Sequence, residues 1–192
     1  MRPAEGLWGI VKRIQLMPFG VVPGELLERL SAGLSREFSV PCGILPAQPE
    51  PAFAFNVTRR QYLSTEILAG MTERTTPDTW RLLGVTLVDL YIPILTFVFG
   101  EAQMKGKCAL VSAHRLHQEF YGLPADHGLL HERLLKESAH ELGHTLTLAH
   151  CDDYSCVMSA SHGVEWIDVK TSHFCSACRT SITQGNSVQT AR

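Results

Sequence analysis

Charge is scarce in this 192-residue sequence: 19% of residues are Asp, Glu, Lys or Arg, and the formal net charge is -2 at pH 7. Without a basic patch or a long like-charge run there is no electrostatic footprint for nucleic acid or an anionic membrane surface, so neither is an expected partner. Long apolar runs are missing too. The most apolar stretch, residues 85–100, is broken by Asp89 and Pro93 and is too short to cross a bilayer as a helix. The first residues carry Glu5 and interrupt their apolar positions with Lys12 and Arg13, so they lack the apolar region of a secretory signal. A cytoplasmic location is expected. Asn56-Val57-Thr58 matches the glycosylation sequon, which means nothing without secretion. Internal repeats and low-complexity linkers are also absent. With 45% apolar residues the chain can bury one core and is short for two. A single domain over 1–192 follows as the expectation, with sheet and helices in 7–148, a metal-binding segment in 149–178 and a flexible tail in 179–192.

The order of patterns indicates an α/β chain. Residues 7–16 read as a first strand ended by Pro18 and Gly20. Over 24–37, Leu26, Leu27, Leu30 and Leu34 recur at helical spacing, with Pro23 where a first-turn proline is tolerated. Residues 38–45 are β-prone but hold Pro41, which confines them to a short or edge strand. Residues 60–73 read as a second helix and 82–91 as a strand buried on both faces. Strands over 95–102 and 107–114, joined by a polar turn, form an antiparallel hairpin. Asp126 is placed to cap a long third helix. Strands alternating with helices and then a hairpin predict a mixed sheet with an antiparallel strand near one edge.

That third helix carries His140-Glu141-Leu142-Gly143-His144. Four residues of helix turn the chain by about 400°, so the two imidazoles lie on one face at the spacing that bites a single metal ion. Glu141 points about 100° away, which suits it to hold a water on the metal and to act as a general base. Zinc lowers the pKa of such a water to about 7. Gly143 costs roughly 1 kcal/mol inside a helix relative to alanine, so a neighbour is expected to approach the backbone closely there.

His150 is the candidate third ligand. In a continuous helix it would face about 240° away from His144, so the helix must stop and the chain turn back. The zincin pattern H-E-x-x-H-x-x-G-x-x-H breaks the helix at a glycine, and here that position is Thr147. A β-branched residue resists positive φ, so either Thr147 is strained or the turn is made differently.

Four of the six cysteines follow at once. Cys151-x4-Cys156 and Cys175-x2-Cys178, 18 residues apart, have the spacing of a four-thiolate structural zinc site, and a reducing compartment favours metal over disulfides. Cys42 and Cys108 sit alone in apolar surroundings and read as small core residues. Two zinc ions are expected, one catalytic and one structural.

Taken together, His140-Glu141-x-x-His144-x5-His150-Cys151-x4-Cys156-x-Met158 followed by Cys175-x-x-Cys178 resembles the archaemetzincin family of zinc-dependent metalloproteases. Leu83-Gly84-Val85-Thr86-Leu87-Val88-Asp89-Leu90, Phe97-Val98-Phe99-Gly100-Glu101-Ala102 and the Lys136-Glu137 that precedes the histidine motif resemble its sheet segments and active-site helix, so the likeness spans residues 7–179. It implies a compact three-layer α/β/α metzincin-like fold with a twisted, mostly parallel five-stranded sheet and an antiparallel edge strand above the cleft. It also implies that Met158 is the Met-turn residue under the catalytic zinc, although without the resemblance Met158 reads as core. The implied activity is hydrolysis of peptide bonds in a peptide or protein substrate through a zinc-activated water, with Glu141 as general base. An extended peptide could add to the edge strand by backbone hydrogen bonds.

Several roles stay open at this level. Tyr154 and His162 are candidates for a second oxyanion stabiliser and read equally as surface or structural residues. Glu137 is either a partner that orients the histidines or a helix-surface charge. The competing function is a zinc-binding protein of the same fold that acts as a binding or interaction module without turnover. A nucleic-acid-binding zinc ribbon is opposed by the acidic balance.

Overall fold

The computed structural model describes residues 12–189. In chain order its elements are β1 (Arg13–Phe19), α1 (Gly24–Phe38), β2 (Cys42–Ile44), β3 (Phe55–Asn56), β4 (Gln61–Leu63), α2 (Ser64–Met71), β5 (Thr79–Thr86), β6 (Leu90–Tyr91), β7 (Gly100–Ala102), β8 (Cys108–Ser112), α3 (His127–Thr145), α4 (Val164–Val169) and α5 (Ser176–Gln189). The main sheet has the order β2-β1-β5-β8-β7, with every pair parallel except β7 against β8.

The two-residue period of the central strands divides the core in two. Ile14 and Leu16 of β1, Leu83 and Val85 of β5, and Ala109 and Val111 of β8 turn toward α1 and α3. Met17, Phe19, Leu82, Cys108 and Leu110 turn the other way, against Ile67, Leu68 and Met71 of α2. This makes a three-layer α/β/α sandwich, and strands buried on both faces read as continuous apolar runs for that reason. Burying one leucine such as Leu134 contributes about 1.5–3 kcal/mol, so the two clusters supply the driving force for the sandwich. A second small sheet, β3-β4-β6, extends the α2 side. No helix among the described residues is long and apolar enough to cross a membrane.

The mixed sheet, α1, the edge position of β2, the hairpin β7–β8 and α3 follow the expectations. Asp126 caps α3 by accepting the Leu129 N–H at 2.9 Å. Other elements differ. Part of the expected strand 7–16 lies outside the described residues, and β1 runs on through Pro18 because β2 has ended there and the Pro18 carbonyl takes the Gln48 N–H at 2.8 Å. The expected helix 60–73 begins only at Ser64, since Arg60 turns at φ 56 and residues 61–63 join the small sheet. The expected strand 82–91 breaks after Thr86, where Asp89 leaves the ladder for a two-pronged bond with Arg115 at 2.6 and 2.7 Å. Within 95–102 only Gly100–Ala102 is in the ladder, because the carbonyls of Leu95 and Thr96 are taken by the Arg59 guanidinium at 2.8 and 3.0 Å.

Of the expected flexible tail 179–192, residues up to Gln189 continue α5, and 190–192 lie outside the described residues. The start of that helix is anchored, since Glu37 at the end of α1 pairs with Arg179 and accepts from His173 Nδ1 at 2.6 Å and from the Phe174 N–H at 3.4 Å.

Gly84 of β5 sets how closely α2 approaches the sheet. A Cβ there would lie 2.7 Å from Leu110 Cδ1 and 2.9 Å from Met71 Sδ. Gly84→Ala is expected to lower stability by about 1–3 kcal/mol through overpacking, measured by urea unfolding. An unchanged midpoint would show that this layer can shift freely.

Candidate active site

The inner stripe of α3, including Leu130, Leu134, Ala139 and Leu142, is buried in the core, and Arg81 of β5 fixes the end of the helix by donating to the Thr145 hydroxyl at 2.7 Å. A fixed helix fixes its imidazoles. His140 Nδ1 lies 2.9 Å from the Val157 carbonyl and His144 Nδ1 lies 2.8 Å from the Leu148 carbonyl. A carbonyl only accepts, so each Nδ1 carries the hydrogen and each Nε2 presents a lone pair. Those two Nε2 atoms face each other at 3.0 Å. Burial depresses the proton affinity of both rings, most strongly at His140, so a proton is poorly placed to relieve the repulsion. A metal cation would relieve it.

The chain then reverses as the third histidine requires. Leu146 and Leu148 both donate to the Gly143 carbonyl, at 3.0 and 3.2 Å, and Thr147 sits at φ 72. Of the two readings left open for Thr147, the strained left-handed turn is the one adopted. It returns His150 to within ring-centroid distances of 5.3 Å from His140 and 5.1 Å from His144. One ligand nitrogen from each of the three rings lies within 4.8 Å of the others, an arrangement that fits a single ion.

Below the histidines, Cys156 to Ser159 form a tight turn closed by the Ser159 N–H to the Cys156 carbonyl at 2.9 Å. Met158 at its tip is fully buried and packs on α3 at Gly143, where a Cβ would lie 2.3 Å from Met158 Sδ and 3.1 Å from Phe174. The close neighbour expected at Gly143 is therefore a side chain on the turn. The Val157 carbonyl of the same turn is the one that holds His140.

Glu141 is buried on the other side of His140, against the edge strand. A Cβ on Gly100 of β7 would lie 2.6 Å from Glu141 Cγ, so only glycine leaves the carboxyl its place. Burial first, then the nearby Glu137 charge, raises the proton affinity of Glu141 well above the usual carboxylate range, with Lys170 acting against the rise. A cavity of about 440 Å³ opens between residues 95–102 and the histidines, and Glu137, Ser161 and His162 also line it. Of the two candidate oxyanion donors, His162 is brought to this cleft, whereas Tyr154 is 69% exposed beside Trp166 in a different depression.

The four cysteines beyond the turn converge as well. Cys151 Sγ lies 3.9 Å from Cys175 Sγ and Cys156 Sγ lies 3.8 Å from Cys178 Sγ. These separations are far beyond a disulfide bond and equal the edge of a tetrahedron of thiolates about 2.3 Å from a central zinc, which is about 3.8 Å. The donor set fits that ion. Cys108 is buried in the core as expected, while Cys42 is only half-buried on the edge strand, and burial raises the pKa of both thiols, that of Cys42 to about 11.

Two participants escape a reading of the sequence. Gly100 is one. Lys170 is the other: it is fully buried and its ammonium lies 2.8 Å from Glu137 Oε1, so Glu137 is neither a surface charge nor seen bonded to a histidine. The motif Asp168-Val169-Lys170-Thr171 looks like solvated surface, and no local signal marks the lysine.

Fold and site together define a class, the metzincin kind of zinc-dependent metallopeptidase. Residues 34–184 match the family model for peptidase family M54. The archaemetzincin of Methanocaldococcus jannaschii is 43% identical over 169 residues, covering 88% of this chain and 92% of the relative, and that of Pyrococcus furiosus is 39% identical over 171 residues, covering 86% and 89%. Among solved structures, the archaemetzincin of Methanopyrus kandleri superposes with a TM-score of 0.82 at 33% identity, covering 94% of this chain and 98% of that one. A zinc-dependent peptidase from Methanocorpusculum labreanum gives 0.80 at 33% identity, covering 88% and 99%. The chain belongs to peptidase family M54, the archaemetzincins, and is a zinc-dependent metallopeptidase.

The strain at Thr147 has a measurable cost. The left-handed conformation costs a β-branched residue about 1–2 kcal/mol, part of which glycine gives back as unfolded-chain entropy. Thr147→Gly is expected to stabilise the protein by about 1 kcal/mol, seen as a higher thermal midpoint, and a lower midpoint would show that the threonine contributes a contact worth more than its strain.

Proposed function

We propose that this chain hydrolyses peptide bonds in the cleft beside β7, with His140, His144 and His150 holding a catalytic zinc, Glu141 serving as general base, and Cys151, Cys156, Cys175 and Cys178 holding a second, structural zinc. The observation that carries the reading is the convergence of one nitrogen from each of His140, His144 and His150 beside a buried carboxyl. A bound zinc supplies Lewis acidity, which polarises the scissile carbonyl and makes water a usable nucleophile near neutral pH.

The residues of the chain do the rest. Glu141, whose burial raises its affinity for a proton, takes in its ionised form the proton of the attacking water and hands it to the leaving amine. Gly100 keeps that carboxyl in place, and Met158 gives the histidines an apolar floor. The edge strand β7 offers backbone groups to an extended peptide. His162, which lines the cleft, is the candidate donor to the developing oxyanion. The four thiols suit a reducing, cytoplasmic setting.

Glu141→Ala separates catalysis from binding: zinc content is expected to stay while hydrolysis of a peptide library falls by about 10²–10⁴-fold. A wild-type protein that holds its zinc and cleaves nothing in the library would sink the peptidase reading. Metal counting tests the ligand sets separately. His144→Ala and Cys175→Ser should each lose one of two zinc ions, and a variant that keeps both refutes the set it was drawn from.

A further inference from the structure

The Lys170–Glu137 pair is almost sealed from solvent, with side chains 1% and 4% exposed. An ion pair this deep is a poor device for stability, because desolvating both charges offsets most of their attraction and well-packed apolar residues often do as well. What such a pair does supply is fixed geometry. The Lys170 ammonium donates to Glu137 Oε1 at 2.8 Å and to the Ser159 carbonyl at 3.2 Å. Ser159 ends the turn that begins at Cys156, and two residues earlier the Val157 carbonyl accepts from His140 Nδ1 at 2.9 Å. Glu137 and His140 lie one turn apart on α3.

These contacts close a ring: from Glu137 to Lys170, to Ser159, back along the turn to Val157, across to His140, and along the helix to Glu137. The imidazole and the ammonium thus hold the same turn from its two sides. We propose that Lys170 is a positioning residue of the histidine site, locking the 157–159 turn onto α3 so that the Val157 carbonyl keeps the His140 ring aimed at the metal position. This rests on the assignment of His140, His144 and His150 as zinc ligands. Partners that orient a ligating histidine are worth about 10- to 100-fold in metal affinity.

Charge alone predicts the opposite sign. A buried ammonium repels a dication, and deleting it would leave the Glu137 carboxylate to attract one, so zinc would bind more tightly. If Lys170 only stabilises the fold, zinc affinity at folded protein would not move. The positioning role alone predicts weaker binding at the histidines with the cysteine-held ion undisturbed.

The test is Lys170→Met in the full chain, with zinc affinity at each site measured by chelator competition and the cysteine-held ion as internal reference. A loss of about 10- to 100-fold confined to the histidine site is expected; unchanged or tighter binding overturns the proposal. Glu137→Gln is the second variant and decides the matter if Lys170→Met does not fold. It keeps an oxygen for the ammonium and so keeps the ring, and its zinc affinity is expected within about threefold of wild type, whereas a tenfold loss would show that charge and not position governs the site. A wild-type protein that takes up no zinc at its histidines would instead refute the ligand assignment, which keeps the two failures distinct.

Discussion

Two neutral imidazole nitrogens facing each other at 3.0 Å are the constraint around which this protein is built. The rings are held because each gives its other nitrogen to a backbone carbonyl, and each carbonyl is held in turn. Leu148 is fixed by the strained turn at Thr147, and Val157 by a turn packed through Met158 onto Gly143. The core of the sandwich lies behind this arrangement and keeps α3 rigid, so that the fold holds both lone pairs on one point.

The cleft is also dense in charges taken out of water. Glu137 and Glu141 are both buried and Glu101 lines the same cavity, where its carboxylate is held by Ser64 and Thr65. Among the described residues, Lys170 is the buried cation that bonds one of them, Glu137, and no ion pair reaches Glu141. That asymmetry sets the two carboxyls apart: Glu137 is held in an ion pair, whereas burial raises the affinity of Glu141 for a proton.

Legibility in the sequence followed the range of the interactions. The i, i+4 histidines, the Asp126 cap, the two cysteine pairs and the central strands announce themselves because their chemistry is written within a few residues. The threonine that stands in place of the pattern's glycine at 147 is readable as a dilemma, and the backbone resolves it as strain. What could not be read depends on contacts from far along the chain. Arg59 takes the carbonyls that residues 95–96 would have given to a strand, Gly100 matters only because Glu141 comes to lie on it, and Lys170 looks like a surface lysine until Glu137 is found beside it. The helix past residue 179 was missed for a similar reason, since its anchor, Glu37, belongs to α1.

Cys156 and Val157 are adjacent in one tight turn, yet the first belongs to the thiolate cluster and the second orients an imidazole of the other site. Two separate sets of contacts therefore fix the length of one short turn. An inserted or deleted residue there would throw either the Cys156 thiol or the Val157 carbonyl out of place.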